Sequence, residues 1–570
     1  MNGAILMTVG IVCFTAAYFL YSRFIAKAIG VDPKRPTPAH TMGDGVDYVP
    51  AHPVVLYGHH FATIAGAGPI LGPVLAAQFG WVSVALWIVL GCIFIGAMHD
   101  MVTLFLSVRH QGRSIGSVIE DVLGRPGKMI FLMFCFCSVV LLMAVFTGQV
   151  ADAFIINPAV ATSSLLAILE AAVFGICVYR LGWNVFKASF LFVPILFLLV
   201  WAGVAFPCDL TALFGVSAAA ARNIWIAVLF VYCFAASTLP VWLLLQPRDY
   251  LNSYLLYVML ALGLAGIFTA CPHINIDAFA VSVTTAAKGT QHLFPLLFVT
   301  VACGACSGFH ALVASGTTSK QISSEAHIRP IGYGGMLLEG VVALMALLSV
   351  AYLSREGLAE GLAGKSPVIL FASGLASFCA SLGLPAKAAE NFMLLSVAAF
   401  LMTSVDSCTR LARFIWQEMW STAASAAPAA PRQSPVARIN RNMYVATAVV
   451  VAIAAYLLVF NPSMASNLWT MFASANQMLA ALTLLTATLW LFKNRLNFWI
   501  AALPMCFMIV TSGTAVFQLF LQNLDKWMAK GFAAGGVTAV GSAVLFVLAI
   551  VLVVLGALKL RRLLRERIAK

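Results

Sequence analysis

Apolar stretches of about twenty residues recur along the whole chain and constrain its fold more than any other feature. A helix of that length crosses the hydrocarbon core of a bilayer, which is about 30 Å thick. Fifteen stretches meet this criterion, and each predicts a membrane-spanning helix. They cover residues 3–28, 54–79, 81–107, 126–151, 160–181, 184–206, 222–246, 252–271, 289–316, 333–354, 389–413, 441–460, 465–491, 497–521 and 535–561.

Composition explains why the chain must cross the bilayer many times. Only 9% of the 570 residues are charged and 62% are hydrophobic, whereas soluble domains carry about 25% charged residues. The excess apolar surface must therefore face lipid. The net charge of +13 does not indicate nucleic-acid binding, because no soluble basic domain accompanies it. The first stretch, Leu6 to Ile25, predicts a retained helix, since neither a basic segment before it nor a small-residue cleavage site marks a signal peptide.

The distribution of basic residues predicts the orientation of the chain. Segment 366–381 is apolar but short, and every residue after it changes side if it crosses. With the N-terminus outside and this segment not crossing, 26 of the 33 Lys and Arg residues lie in the cytoplasm. One extra crossing would move Arg410 to Arg441 and the basic tail outside, against the positive-inside rule. We therefore expect a bacterial inner-membrane protein with a cytoplasmic C-terminus, in which 366–381 is re-entrant or lies on the surface.

A Pro/Ala/Ser-rich stretch from Ser421 to Pro435 predicts a linker late in the chain. It separates a large N-terminal unit from a smaller helical one. The predicted division is an N-terminal helix with its cytoplasmic connection (1–53), a transport core (54–414), the linker (415–440) and an appendix of four helices (441–570).

The second apolar stretch contains a dense interruption between His59 and Pro73. Three glycines, two of them followed by proline, fall within eight residues and will not sustain a continuous helix. In a membrane, freed backbone groups are tolerated only where they line a cavity or contact protein. A half-helix N-terminus there binds an anion and freed carbonyls bind a cation; the alternative is tight helix packing through small residues. The candidate substrate-binding residues are His59, His60, Thr63, Ala65, Gly66 and Gly68.

The seventh stretch carries a weaker interruption from Ala235 to Pro240. Paired interruptions in corresponding positions of two halves point to a transport site. Ser237 and Thr238 are therefore added to the substrate-binding candidates. A proline kink without any ligand role is an equally good interpretation.

The ninth stretch combines hydroxyl side chains with a histidine. Hydroxyls and carbonyls are the oxygen ligands that a small cation takes, although they also cap helix C-termini. His310 lies in the apolar part, where an ionisable group is a functional candidate and suits proton coupling; a satisfied interior histidine is the alternative. The predicted coupling-ion residues are His310, Ser315, Thr317 and Thr318.

Other ionisable residues in the apolar stretches are few. Asp100 and Glu339 lie near helix ends and are interpreted first as structural anchors. Asp406 has a local i, i+4 partner in Arg410. Glu170 has no obvious local partner and is a candidate for a proton relay.

The cysteines and histidines do not predict a cofactor. Cys303 and Cys306 form a C-x-x-C without a second ligand pair, so we expect no metal. The rival class is an intramembrane redox enzyme with haem or metal ligands among four histidines, but no C-x-x-C-H occurs. Those four are His59, His60, His99 and His310. A passive channel is the second rival.

Six stretches are similar to the carbon starvation protein A family. They are HHFATIAGAGPILGP (59–73), FIGAMHD (94–100), LLLQPRDYLNSY (243–254), ACGACSGFHALVASGTTSKQ (302–321), IGYGGMLLEG (331–340) and DSCTRLARF (406–414). The similarity runs from about Val49 to Phe414.

This resemblance implies a LeuT-type fold. It consists of two inverted five-helix repeats, here with one extra helix at the N-terminus, about four at the C-terminus and a short re-entrant segment. Core helices one, six and eight would be 54–79, 222–246 and 289–316. Core helix eight would then supply Ser315, Thr317 and Thr318 to a cation site that faces the break in helix one.

The resemblance also implies a function. Members take up pyruvate with protons, or peptides, during carbon limitation. We therefore expect a symporter that imports a small organic nutrient with a proton or a sodium ion and performs no covalent chemistry.

The interrupted second helix gives the first testable prediction. Gly66→Leu is expected to abolish uptake while the protein remains folded and inserted, because a bulky side chain would fill the break. Uptake by membrane vesicles, with protein amount measured in parallel, checks this; uptake at the wild-type rate would contradict the proposed position of the site.

Overall fold

The computed structural model describes residues 1–43, 48–240, 242–285, 289–364, 366–421, 435–459 and 465–568. Nearly all of these residues are helical, and a short antiparallel hairpin, β1 (Ser282–Thr285) and β2 (Gly289–His292), is the one sheet among them. Twelve helices are long and apolar enough to cross a membrane, and a bent pair makes a thirteenth span. The chain is therefore an all-helical multi-pass membrane protein, as predicted.

The main helices are numbered in chain order. They are α1 (Gly3–Ile29), α2 (Pro53–Ile64), α3 (Gly68–Phe79), α4 (Trp81–Arg109), α5 (Ile115–Ile156), α6 (Pro158–Arg180), α7 (Val185–Ala205), α8 (Ala218–Thr238), α9 (Leu245–Ala270), α10 (Leu293–Thr300), α11 (Gly308–Val313), α12 (Glu325–Ala351), α13 (Arg355–Gly364), α14 (Pro367–Leu382), α15 (Ala386–Met419), α16 (Met443–Val459), α17 (Ala465–Lys493), α18 (Trp499–Lys530) and α19 (Phe532–Ile568).

The first broken span is the one that the sequence predicted. α2 ends at Ile64 and α3 begins at Gly68, with a bend of 44° between them. Ala65, at the break, has a non-helical backbone (φ −74°, ψ 52°). Gly-Pro starts α3, where the missing N–H of proline costs nothing because the first N–H groups of a helix have no partner.

A second broken span follows the β hairpin. α10 ends at Thr300, a single turn covers Ala302–Gly304, and Ser307 is extended (φ −142°, ψ 127°) before α11 begins. A wider turn, Ala314–Thr318, continues α11 to residue 321. The sequence predicted a continuous helix over 289–316, but the segment Gly304 to Gly308 interrupts it.

The two broken spans cross each other in antiparallel orientation. His60 of α2 contacts Thr318 beyond α11, while Gly72 of α3 lies against the carbonyls after α10. A Cβ atom at Gly72 would overlap the Val301 carbonyl and lie 2.7 Å from the Thr300 carbonyl oxygen. Only glycine permits this approach, because the obstacle is backbone that cannot rotate away.

The helix contacts divide the core into two units of five spans. The first unit is α2–α3, α4, α5, α8 and α9, and the second is α10–α11, α12, α15, α16 and α17. Contacts in one unit have counterparts in the other. The fourth helices, α8 and α16, each pack on α5 and α15. The fifth helices also correspond, because α9 packs on α2 and α15 and α17 packs on α11 and α5. Seven crossings separate the two starting points, so the second unit is inverted.

The sequence assigned the second broken helix differently, and packing explains why. The stretch 222–246 is not one broken helix, since α8 ends at Thr238 and α9 begins at Leu245. The hairpin α6–α7 is inserted in the first unit, where the two helices pack mainly on each other. The sequence analysis counted α6 and α7 among the five helices of the first unit, so it assigned the start of the second unit to α8 instead of α10–α11.

The C-terminal helices also divide differently from the predicted four-helix appendix. The apolar window of α17 is 94% buried, whereas that of α19 is 22% buried. α16 and α17 complete the second unit, and α18 and α19 remain outside it. Of the predicted linker 415–440, the first residues belong to α15, and 422–434 lie outside the described residues.

The segment predicted not to cross forms α14. Like α16, it is one of the shorter apolar helices. With α13 before it, α14 packs against α9, α12 and α15. That this segment does not cross the membrane stays a prediction.

The glycine at the crossing gives a stability prediction. Gly72→Ala is expected to lower the free energy of unfolding by about 1–3 kcal/mol, because the added methyl group overlaps backbone. Gly364→Ala is the matched control, since nothing lies within 4 Å of its Cβ position. Thermal unfolding in detergent measures both; equal melting temperatures for the two variants would contradict the crossing.

Candidate functional site

A cavity of about 710 Å³, including its open mouth, lies where the two units meet. Its walls are the second half of α2, the start of α9, the turn after α11 and the last part of α15. The lining residues are His59, Thr63, Leu245, Gln246, Asp249, Val313, Gly316, Thr317, Lys320, Gln321, Ser407, Arg410, Leu411 and Phe414.

Among the described residues that line the cavity, two are cationic and one is a carboxylate. Lys320 and Arg410 line it, and the single carboxylate, Asp249, is paired with His59 (Nδ1–Oδ2 3.4 Å). An Arg410 N–H donates to the Leu239 carbonyl oxygen at 2.5 Å, which fixes the guanidinium at the wall. Two cationic side chains in a concave apolar surface attract an anionic ligand.

The opposite end of the crossing is closed. α3 packs on the turn after α10 without a gap: a Cβ atom at Gly68 would lie 2.5 Å from Cys303 Sγ. Ile70, Leu71 and Val74 are at most 2% exposed. The cavity is therefore accessible from one side of the membrane only.

Six predicted substrate residues lie at this cavity, beside it or at the break. His59 and Thr63 line the cavity, and the Thr63 hydroxyl donates to the His59 carbonyl (2.8 Å). His60 is buried, with Nδ1 2.8 Å from Thr318 Oγ1. Ala65, Gly66 and Gly68 form the buried break itself.

Ser237 and Thr238 lie elsewhere. Ser237 Oγ is 3.3 Å from Thr447 Oγ1 of α16, and Thr238 donates to the Phe234 carbonyl within its own helix. They belong to the contact of α8 with α16. The structure does not bring them to the break in α2–α3, because α8 is the fourth span of its unit.

The predicted coupling-ion residues also separate. Ser315 donates to the Ala311 carbonyl and accepts from the Ile115 N–H, so its oxygen is occupied in packing. Thr317 lines the cavity. Thr318 pairs with His60, and His310 lies deeper, among other ionisable side chains. No common ion site unites the four.

Ser404 of α15 is a residue that sequence reasoning did not single out. A Cβ atom at Gly66 would overlap its Oγ, so the hydroxyl lies against the break. This oxygen is buried and has no hydrogen-bond partner among the described residues. Its neighbour Thr403 accepts from Asn252 Nδ2 (3.1 Å). The hydroxyl side chains in the Met402–Ser407 stretch could have indicated a polar site. The sequence did not show that this stretch faces the break in α2–α3.

His310 connects two carboxylates in a fully buried cluster. Its Nδ1 lies 2.7 Å from Asp100 Oδ2, and its Nε2 lies 3.3 Å from Glu339 Oε2. His99 Nδ1 lies 2.8 Å from the other oxygen of Asp100. Asp100 and Glu339, interpreted from the sequence as anchors near helix ends, therefore belong to the centre of the protein.

A thiol lies beside this cluster. The donor atoms of Cys303, His310 and Glu339 fall within 4.8 Å of one another. These are three donors, one fewer than a closed tetrahedral site needs. Cys303 Sγ also donates to Ser307 Oγ (3.4 Å) and accepts from Asn476 Nδ2 (3.4 Å), as a neutral thiol does.

A second buried charge cluster joins three helices. Arg248 of α9 forms an ion pair with Asp406 of α15, and both side chains are at most 3% exposed. The Tyr232 hydroxyl donates to Asp406 (2.6 Å). The ion pair of Asp406 is thus made across helices with Arg248, while Arg410, the local partner that the sequence suggested, lines the cavity.

Two inverted units that each begin with a broken helix, with a cavity at the crossing, define a secondary transporter of the LeuT type. The chain belongs to the carbon starvation protein CstA family, whose sequence profile matches residues 2–361 and 357–515. The resemblance seen in the six motifs is thereby confirmed.

Individual relatives cover most of this chain. It is 34% identical to the peptide transporter CstA of Escherichia coli K12 over 90% of its length and 81% of the relative. It is 31% identical to the peptide transporter CstA of Bacillus subtilis 168, covering 98% and 95%. The pyruvate/proton symporter BtsT of Escherichia coli K12 is also 31% identical, over 90% and 81%.

Solved structures with a similar chain path are distant. The Eremococcus coleocola manganese transporter bound to an aromatic bis-isothiourea compound is 13% identical, with a TM-score of 0.44 over 92% of this chain and 99% of that one. MhsT in complex with L-phenylalanine is 12% identical, with a TM-score of 0.45 over 88% and 99%.

The buried ion pair of Arg248 and Asp406 gives a stability prediction. Asp406→Asn is expected to lower the free energy of unfolding by about 3–5 kcal/mol, because Arg248 loses its buried counter-ion. Replacing both residues (Arg248→Met with Asp406→Leu) should restore most of that loss.

An exposed pair supplies the control. Asp277→Asn removes the partner of Arg355, which is 66% exposed, and should cost at most about 1 kcal/mol. Thermal unfolding in detergent compares the variants. Equal effects of Asp406→Asn and Asp277→Asn would show that the Arg248–Asp406 pair does not stabilise the fold.

Proposed function

We propose that this protein imports a small carboxylate-bearing nutrient, either a pyruvate-like acid or a peptide, by cation symport. The observation that carries the proposal is the cavity at the crossing, where Lys320 and Arg410 outnumber the one carboxylate, Asp249. Relatives named peptide transporter and pyruvate/proton symporter support both substrate classes. Both classes carry a carboxylate that the two cations would bind.

The substrate would move from this cavity toward the break in α2–α3. There the positive end of the α3 helix dipole, at Gly68, would face an anion, while Pro69 has no N–H and the N–H groups of Ile70 and Leu71 donate to the Ala67 carbonyl oxygen. At Gly66 the missing side chain lets the Ser404 hydroxyl approach the backbone of the break. His59, Thr63 and Thr317 would contact the substrate on its way.

Alternating access would couple the two sides of the membrane. The distribution of basic residues favours an N-terminus outside and a C-terminus in the cytoplasm. In that orientation the start of α2 and the end of α15 face the cytoplasm, so the cavity is open inward and the contact between Gly72 and Thr300 closes the outside. Rocking of one unit against the other would open that contact.

A coupling cation has two candidate positions. The unpaired Ser404 hydroxyl and the carbonyls freed at the break around Gly66 provide oxygen ligands for sodium. The buried histidine His310 with its two carboxylates provides groups that take up a proton. A proton is favoured by the relative named as a pyruvate/proton symporter.

Transport of this kind needs no covalent chemistry, and we propose that the protein is not an enzyme and uses no cofactor. An intramembrane redox enzyme would show a Soret band or stoichiometric metal after purification. Three of the four histidines of that hypothesis contact carboxylates at two different places. His59 pairs with Asp249 at the cavity, while His99 and His310 both contact Asp100. A passive channel would not accumulate substrate against its gradient.

Purified protein in liposomes tests the function directly. Labelled pyruvate and a labelled dipeptide are offered under a proton gradient or a sodium gradient alone. Accumulation that collapses with a protonophore is the expected result. Absence of accumulation of either compound under both gradients would refute the proposal.

The cavity charges give a sharper prediction. Arg410→Gln is expected to raise the half-saturation concentration for the carboxylate substrate about 10-fold or more, because charge-assisted hydrogen bonds contribute about 1.5–3 kcal/mol. Lys320→Gln should act in the same direction. Arg355→Gln is the control, since it removes one positive charge at an exposed position away from the cavity. Wild-type kinetics in both cavity variants would contradict binding at this site.

A further inference from the structure

Four ionisable side chains form a dry cluster behind the second broken span. His99 and Asp100 come from α4, His310 from α11 and Glu339 from α12, and all four are 0% exposed. Hydrogen-bonding distances of 2.7–2.8 Å join the two histidines to Asp100. Ionisable groups this deep in a membrane protein are costly and mark functional sites.

The two carboxylates of the cluster have unequal surroundings. Asp100 has a histidine nitrogen at each of its oxygens. Glu339 has no hydrogen-bond partner at either oxygen among the described residues, although His310 Nε2 lies 3.3 Å from Oε2. The ionised form of Asp100 is therefore stabilised on both sides, whereas that of Glu339 is supported by one longer contact. Of the two, Glu339 is the group whose protonation can change without breaking other bonds.

The net charge of the cluster also indicates Glu339 as the group that changes protonation. When His310 carries a proton on each ring nitrogen, Asp100, His310 and Glu339 together have a charge of −1. One further proton on Glu339 makes the cluster neutral, with His99 uncharged. Burial favours the neutral form, because a net charge in a dry membrane interior is expensive.

The other titratable side chains near the cluster do not supply a cation of fixed charge. They are His60 from α2, Cys92 from α4, and Cys303 and Cys306 from the segment between α10 and α11. Cys303 and Cys306 are at most 5% exposed. His60 is occupied at Nδ1 by Thr318. The charge balance of the cluster is thus set by its own four members.

We propose that Glu339 is the residue that binds and releases the transported proton, with His310 and Asp100 positioning it. This inference rests on the proposed function, which leaves the identity and the place of the coupling cation open. The proton comes from water on the outside, adds to a Glu339 carboxylate oxygen, and returns to water in the cytoplasm. No electron moves and no other bond changes.

The position of His310 explains how the proton would act on the substrate cavity. His310 is in α11, and the turn that continues α11 contributes Gly316 and Thr317 to the cavity wall. Neutral Glu339 permits dry packing of α11 on α12, whereas ionised Glu339 requires water between them. Protonation and substrate therefore both act on one half-helix, which is the condition for coupling.

Transport assays with Glu339→Gln test the site. The amide imitates the protonated carboxyl, so we expect loss of proton-driven accumulation by at least 10-fold, while exchange of internal for external substrate stays within about 3-fold of wild type. Glu339→Asp keeps a carboxyl group and should retain accumulation with an altered pH profile. Glu360→Gln is the control, because it neutralises an exposed carboxylate on α13, and it should accumulate substrate normally. Proton-driven accumulation by Glu339→Gln at the wild-type level would overturn the proposal.

Infrared spectroscopy tests protonation without any substrate. Lowering the pH of the purified full-length protein should produce C=O bands of buried carboxylic acids, and Glu339→Gln should lack one band that Glu360→Gln keeps. A pH-dependent spectrum unchanged by Glu339→Gln would overturn the proton site, whatever the transport result. One equivalent of tightly bound metal in the wild type, lost in Glu339→Gln, would overturn it as well. If the band is lost as expected but wild-type protein transports neither pyruvate nor the dipeptide, the proposed function fails and the proton site stands.

Discussion

The close crossing of two broken helices is the constraint on which the rest of the structure depends. At Gly72 the backbone of α3 touches the carbonyls of Thr300 and Val301 with no side chain between them. Such an approach closes one end of the transport path and leaves the other end open as a cavity. Because each partner is interrupted at the crossing, carbonyl groups that lose their helical hydrogen bonds lie inside the protein, where a ligand could bind them.

The helices around this crossing carry the buried charges. Asp100 and Glu339 come from the second span of each unit, and Asp406 comes from the third span of the second unit. Each carboxylate has a basic side chain from a different helix within reach: His310 for the first two and Arg248 for the third. A buried pair between helices ties their relative positions, since separating the partners leaves a charge without compensation. Movement of the two units must therefore exchange these contacts for water or for ligands.

Much of the fold follows from the sequence, and the exceptions have physical causes. The apolar lengths predicted the spans, and the density of glycine and proline predicted the break between His59 and Pro73. The second break was missed as a break because Gly304 to Gly308 contains no proline. Its place in the second unit was missed because hydropathy does not show that α6 and α7 pack on each other, outside the five-span count.

The candidate site was partly predictable for a related reason. His59, Thr63 and Thr317 were found because broken helices and hydroxyl clusters leave a local signal. The sequence around a residue carries no signal that shows which distant part of the chain the residue contacts. Asp100 and Glu339 therefore looked like anchors near helix ends, and Ser404 looked like an ordinary helix residue. Ser237 and Thr238 had the local signal but lie in the contact with α16.

One half-helix links the cavity to the buried cluster, and this connection limits the coupling free energy between proton and substrate. His310 and Thr317 lie two turns apart in the same element, so a displacement that hydrates His310 also moves the cavity wall. Coupling free energies between two ligand sites are typically about 1–3 kcal/mol, and they are reciprocal. A substrate that favours the dry packing of α11 must then raise proton affinity by the same factor by which the proton raises substrate affinity. Symport requires that reciprocity, and a single rigid half-helix between two otherwise separate sites provides it without any longer pathway.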